Sequence, residues 1–212
     1  MEFIQNPMET VSVPVTMINN SVTGANRRNF NLRRKKLIFN NIRVKGAIFN
    51  GDWDLDKECF INKAAYGALN KRFVENSKWE DTQYFKHFQD DLKKNGQSRG
   101  GTTSFDQFKA KYLNKWDILY ENIVQQGYKS QVELKSGSYD YEVEVVVSRE
   151  GELLFVSGKH RLSIAKLLNI KNIPVVVNVW HEKYIRWVKQ SLKLGKLTPA
   201  IAIIPIIRGE LK

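Results

Sequence analysis

The sequence predicts an α/β (or α+β) protein: a small mixed sheet with helices packed on it. Three observations carry this. Residues 141–148 (YEVEVVVS) and 153–156 read as a hairpin around Arg149-Glu150-Gly151-Glu152, since short β-rich runs flank a polar turn. Residues 160–169 then carry a helical pattern, with Leu162, Ala165 and Leu167 or Leu168 inward. Residues 173–180 follow as a nearly continuous apolar strand, the mark of a central strand covered on both faces. Finally, Phe108, Tyr112, Trp116, Leu119 and Ile123 recur at helical spacing over 105–126, and Gly127 stands where that helix must stop.

The remaining elements fall in order around these. Val11, Val13 and Val15 alternate, which allows a short strand near 11–18. Residues 26–36 (NRRNFNLRRKK) hold six cations and no acid, and residues 37–50 have strand character. Gly51 to Asp56 (GDWDLD) is an acidic turn. Helical signals follow it, with Ile61, Ala65, Ala68 or Leu69 and Phe73 on one stripe. A second helix is expected to start near Trp79-Glu80-Asp81, where the helix dipole favours acids, with Tyr84, Phe85 and Phe88 facing the core. Residues 94–103 read as a Gly-rich loop and 128–140 as another. Residues 181–194 make an amphipathic helix ended by Gly195, and residues 199–212 form an apolar tail.

Composition narrows the function classes. The hydrophobic share of 42%, with 5 Trp, 8 Tyr and 11 Phe, supports a packed core. The single Cys59 excludes an internal disulfide framework and a cysteine zinc site, and fits a reducing, cytoplasmic setting. No apolar run approaches the roughly 18 to 20 residues of a membrane span. The start MEFIQNPMETVSV lacks the basic and apolar regions of a signal peptide. The net charge is +12, unevenly spread: residues 1–50 carry 8 Lys/Arg and 2 Asp/Glu, residues 51–150 carry 15 and 17, and residues 151–212 carry 11 and 3. Basic ends of this kind attract phosphates, whether in nucleotides, nucleic acid or anionic membranes.

The strongest candidate site is the loop Ser157-Gly158-Lys159-His160-Arg161, between a strand and a helix. Gly158 allows a close approach of backbone to ligand, and the first helical N–H groups lack intrahelical partners. Arg161 can grip phosphate oxygens in a fork, Lys159 adds a point charge, and His160 can donate to an anion or act as acid or base. The same residues also suit an ordinary β–α turn with solvated cations. A second candidate is Asp52 with Asp54 beside Trp53: carboxylates two apart can share Mg²⁺ or serve as a base, or they cap the next helix. His181 ends the central strand, at the sheet edge where ligands commonly sit, or simply begins a helix. Glu142 and Glu144 alternate with valines and read as a solvated strand face. Arg27, Arg28, Arg33, Arg34, Lys35 and Lys36, with Phe30 among them, can follow a phosphate backbone or equally form a solvated arm.

Residues 141–181 resemble the ParB/sulfiredoxin-like superfamily (the ParB-like nuclease domain). The resemblance lies in Gly158-Lys159-His160-Arg161, the Leu- and Ala-rich helix from Leu162 to Leu168, and Ile173-Pro174-Val175. It implies a sulfiredoxin-like core in 37–198; around that core the residue pattern itself places a helical insertion or cap at about 57–126, a basic N-terminal arm at 1–36 and the apolar tail at 199–212. The resemblance also implies a phosphate site at the box and ATP or CTP with Mg²⁺ as ligand. The function it implies is that of a nucleotide-binding protein, phosphotransferase or nucleotide hydrolase. The alternative is a DNA- or RNA-binding protein or ParB-like nuclease, and a third reading is an interaction module whose apolar tail meets an oligomer or protein partner. Sulfiredoxins carry a catalytic cysteine before the His-Arg pair, and Lys159 stands there in this chain. The serine kinases carry an Asp where this chain has Ser157. Partition proteins continue into a helix-turn-helix domain, for which the residues after the box leave little room.

Overall fold

The computed structural model describes residues 10–23, 38–39, 42–43, 47–134 and 142–193. The basic segment 26–36, with Arg27, Arg28, Arg33, Arg34, Lys35 and Lys36, lies outside the described residues, as does the tail 199–212. The chain is mixed α/β and divides into two compact units. A sheet unit takes Met1–Phe60, Ser130–Gly158 and Lys171–Lys212, and a helical unit takes Ile61–Lys129 and Lys159–Ile170.

The sheet unit is organised by its longest strand. We number its strands β1 (Val11–Pro14), β2 (Asn20–Val22), β3 (Ile38–Phe39), β4 (Ile42–Arg43), β5 (Ala47–Phe49), β6 (Lys57–Cys59), β7 (Val143–Val147), β8 (Leu153–Ser157) and β9 (Asn172–His181). Seven form one mixed sheet in the order β1-β9-β7-β8-β2-β6, with β5 also on β9, while β3 and β4 pair with each other. One edge of β9 is parallel to β7 from Val175 to Trp180. The other edge is shared: β1 pairs antiparallel with Asn172 to Val175, and β5 pairs parallel with Val179 to His181. That double use explains why 173–180 is apolar almost without break, as expected for a central strand.

β7 and β8 form the expected hairpin. Its turn is closed by Gly151 N–H to the Ser148 carbonyl, and the Ser148 hydroxyl accepts from the Glu150 and Glu152 N–H groups. The core of this unit gathers Trp53, Val146, Leu154, Val156 and Val179, and Phe60 meets Phe155 edge-on at 4.8 Å. The amphipathic helix after β9, Glu182–Lys193, buries Tyr184, Ile185 and Val188 and exposes Arg186 and Trp187.

Three expectations change here. Glu142 and Glu144 are buried, not solvated: Glu142 accepts from the Gln131 N–H at 2.5 Å and Glu144 from the Asn178 amide at 2.8 Å. β7 is hydrogen-bonded on both edges, and its register shifts after Glu144 against β8 and after Val145 against β9. Alternation along such a strand does not mark a wet face. Residues 57–59, expected to be helical, are the edge strand β6 on β2, and Cys59 is exposed in it. The Gly51 to Asp56 turn caps no helix. Asp56 accepts from Thr23 instead, and Asp54 binds Arg149.

The helical unit contains α1 (Ala64–Phe73), α2 (Gln83–Asn95), α3 (Phe105–Phe108), α4 (Asn114–Gln126) and α5 (Lys159–Leu167). Its core joins Leu69, Trp79, Phe88, Phe108, Leu113, Ile123 and Ile164. Ala65, Ala68 and Leu69 face inward as expected, whereas Ile61 precedes α1 and is 53% exposed. α3 and α4 are joined by a π turn, Lys109–Leu113. A π turn inserts a residue and rotates the stripe, so Leu113 becomes fully buried while Tyr112 stays partly exposed. Gly127, at φ +77°, ends α4 and donates to the Ile123 carbonyl. Among the described residues, no helix is long and apolar enough to cross a membrane.

Candidate functional site

The loop singled out by the sequence lies at the end of β8. Ser157 ends that strand opposite Glu144, and Gly158 follows at φ +84°. A Cβ on Gly158 would stand 2.8 Å from Val143 Cα and 2.9 Å from the Glu142 carbonyl oxygen, so only glycine fits this turn. The chain then enters α5, whose first residues are Lys159, His160 and Arg161, with no acid in the first turn. Cations at a helix start oppose the helix dipole.

Within the helical unit these three residues have different fates. Lys159 is exposed. Arg161 is 7% exposed; its Nε donates to the Tyr128 hydroxyl at 3.0 Å and its Nη2 to the Lys129 carbonyl, and its guanidinium lies 4.5 Å over the Tyr128 ring. The fork expected to hold a phosphate thus braces the chain after α4. His160 stacks on Trp116 at 3.5 Å, and its Nε2 lies 2.8 Å from the Tyr84 hydroxyl. Burial, reinforced by the positive charges of Lys159, Lys115 and Arg99, pushes the His160 pKa down to about 3. Burial raises that of Tyr84, so the pair is a neutral hydrogen bond at ordinary pH. A histidine held neutral this firmly is poorly matched to proton transfer near pH 7, but its ring positions its neighbours.

Lys115 and Arg99 were not singled out by sequence. Both are exposed, on α4 and on the turn Arg99–Gly101. Lys115 Nζ is 4.8 Å over the Trp116 ring and 5.5 Å over Tyr112, and the Arg99 guanidinium is 4.8 Å over Tyr112. The signal for Lys115 was present as cations four apart, Lys111 and Lys115, beside aromatic residues of one helix. Nothing local marked Arg99, which reaches this place because Gly100 bends the chain at φ +68°.

The other candidates meet in the sheet unit. The Asp54 side chain is 2% exposed, and its carboxylate accepts from the Arg149 backbone N–H at 2.8 Å, from Nε at 3.0 Å and from Nη2 at 2.8 Å. Arg149 also donates to Asp52 at 2.8 Å and to the Gly51 carbonyl at 3.0 Å. Burial alone would raise the Asp54 pKa, but the hydrogen bonds from Arg149 outweigh it and hold it below the ordinary carboxylate value. The same bonds raise that of Arg149. His181 is fully buried. Its Nδ1 accepts from the Lys183 N–H at 3.1 Å, so Nε2 carries the proton and donates to the Gly51 carbonyl at 2.9 Å. Its ring lies 5.5 Å from that of Trp53.

This knot ties the Gly51 to Asp56 turn to the hairpin turn and to the end of β9. As a Mg²⁺ site the donor set fits poorly, because a guanidinium already occupies the Asp54 carboxylate and spans to Asp52. No group of three or more His, Cys, Asp or Glu side chains suited to a metal ion occurs among the described residues. Comparison with protein-family models, with characterised proteins and with solved structures finds no match to this chain.

Proposed function

We propose that this protein binds a phosphate-bearing ligand at the start of α5, with ATP and CTP as the first candidates. The observation that carries this is the gathering of three exposed cations around the neutral, half-buried His160: Lys159 precedes it, Lys115 lies 4.8 Å over the Trp116 ring on which it stacks, and Arg99 adds its charge. A phosphate at the start of α5 would take the N–H groups of the first turn, where the helix dipole favours an anion, and would meet these cations. The resemblance to the ParB/sulfiredoxin-like superfamily supports the same reading.

The role proposed for His160 is positioning: its ring holds Trp116, and through Trp116 the place of Lys115. The proposal is binding first. Any phosphoryl transfer would rest on placement and charge neutralisation rather than on His160 as acid or base. Mg²⁺ would arrive with the nucleotide and not on Asp52 and Asp54.

The test is a melting-temperature screen with ATP, ADP, CTP and GTP, each with and without Mg²⁺. Ligand at about a hundred times its Kd contributes about 2.7 kcal/mol, a rise of about 5 °C or more for a chain of this size. We expect the rise to be lost in Lys159→Glu with Lys115→Glu and kept in Asp54→Asn. Arg161 is a poor probe, because its guanidinium is part of the packing. No rise with any nucleotide at millimolar concentration overturns the proposal.

A further inference from the structure

We propose that the helical unit carries a docking surface for a nucleic-acid strand, formed by Arg99, Lys111, Lys115 and Lys159 around Tyr112 and Trp116. The inference rests on the phosphate site proposed above and extends it. Arg99, Lys111 and Lys115 stand 4.8, 5.9 and 5.5 Å from the Tyr112 ring, and Lys115 is also 4.8 Å from Trp116. Trp116 in turn stacks on His160, the neighbour of Lys159. One run of rings thus carries cations from the Arg99–Gly101 turn to the start of α5.

These cations are set in place. Lys111 Nζ donates to the Gly100 carbonyl at 2.9 Å, and Gly100 holds a left-handed φ of +68°, where a Cβ would also push the Tyr112 hydroxyl aside. Four acids of the unit have other partners. Asp91 accepts from Ser98, Glu80 and Asp106 pair with Lys109, and Asp117 holds Arg72 and Trp79. Among the described residues, no ion pair joins a carboxylate to Arg99, Lys111 or Lys115. The unit as a whole has 15 Lys/Arg against 8 Asp/Glu.

The chemistry points to a chain of phosphates. Several cations along a track match repeated phosphates, more than the single cluster a mononucleotide offers. The cations lie over the rings, so the surface meets backbone and not base edges, and binding is expected to be indifferent to sequence.

The experiment is fluorescence anisotropy of a labelled oligothymidylate with the full chain, over a range of salt. Single strands lose affinity with a log–log slope of about −0.7 per phosphate contacted, so Arg99→Glu with Lys115→Glu should flatten the slope by about 1.4. The Lys86→Glu, Lys183→Glu pair changes net charge equally at exposed positions that make no cation–ring contact with Tyr112 or Trp116, and should leave the slope intact. Arg99→Gln with Lys115→Gln removes charge without reversing it and should move the slope the same way. A slope unchanged in both ring-patch variants overturns the proposal. If ATP or CTP still raises the melting temperature in that case, this surface falls and the phosphate site stands. If neither nucleotide nor oligothymidylate binds, both fall.

Discussion

Replacing Asp54 by Asn would separate a structural knot from a functional carboxylate. The side chain is 2% exposed and accepts every hydrogen bond that Arg149 directs at it, from the backbone and from two guanidinium nitrogens. Asn keeps the shape but removes the charge and one acceptor. Hydrogen bonds to a charged group contribute about 1.5 to 3 kcal/mol each, and breaking a buried pair by removing one partner costs about 3 to 5 kcal/mol. Arg149 retains Asp52 and the Gly51 carbonyl, so we expect the lower end, about 3 kcal/mol. Asp52→Asn is the internal control. Asp52 is 79% exposed in its side chain, and such pairs contribute about 0 to 1 kcal/mol.

Urea denaturation of the two variants reads the difference. The sign of the pH effect follows from the lowered Asp54 pKa: its contribution is present above the unfolded value, near 3.8, and is lost as pH falls through the folded value. Wild type should therefore shed stability below about pH 4 along a limb that Asp54→Asn lacks. Equal and small losses in Asp54→Asn and Asp52→Asn would refute the knot.

Two further outcomes concern the Gly158 turn and the half-buried His160 ring. Gly158→Ala places a Cβ against the backbone of Glu142 and Val143 at φ +84°, and should cost about 2 kcal/mol or more, read as a lowered denaturation midpoint. His160 gives a pH signature: its pKa falls from 6.5 unfolded to about 3 folded, so the unfolded chain binds the proton first. Its contribution is complete above about pH 6.5 and falls by roughly 1 kcal/mol per unit between about pH 6 and 4. His160→Gln should flatten that slope.

The strands and helices with strong periodicity were legible in the sequence, and the side-chain partnerships were not. β7, β8, β9, the helix from Phe105 and its stop at Gly127 all follow from local pattern. β6 escaped notice because Lys57-Glu58-Cys59 has no apolar alternation and pairs only along an edge. The burial of Glu142 and Glu144 was misjudged because alternation is informative only where one sheet face is wet. That Ile164 of α5 joins the helical core is likewise not visible in local pattern. Asp54 was visible as a carboxylate, but its partner stands 95 residues away, and no local signal links two such positions. The Ser157 to Arg161 segment stands out in the sequence as glycine followed by cations at a strand-to-helix turn. Where the Arg161 side chain goes is not visible there, because its turn toward Tyr128 is decided by packing from the residues after α4.

The decisive measurement is ¹⁵N NMR of the full chain titrated with ATP and with CTP. Binding at the start of α5 predicts the largest amide shifts at His160 and Arg161, with smaller ones at Lys115 and Arg99, and little change at Asp54 and Arg149. Shifts centred on Asp52, Asp54 and Arg149, or no saturable shifts anywhere, would contradict a phosphate site at that helix.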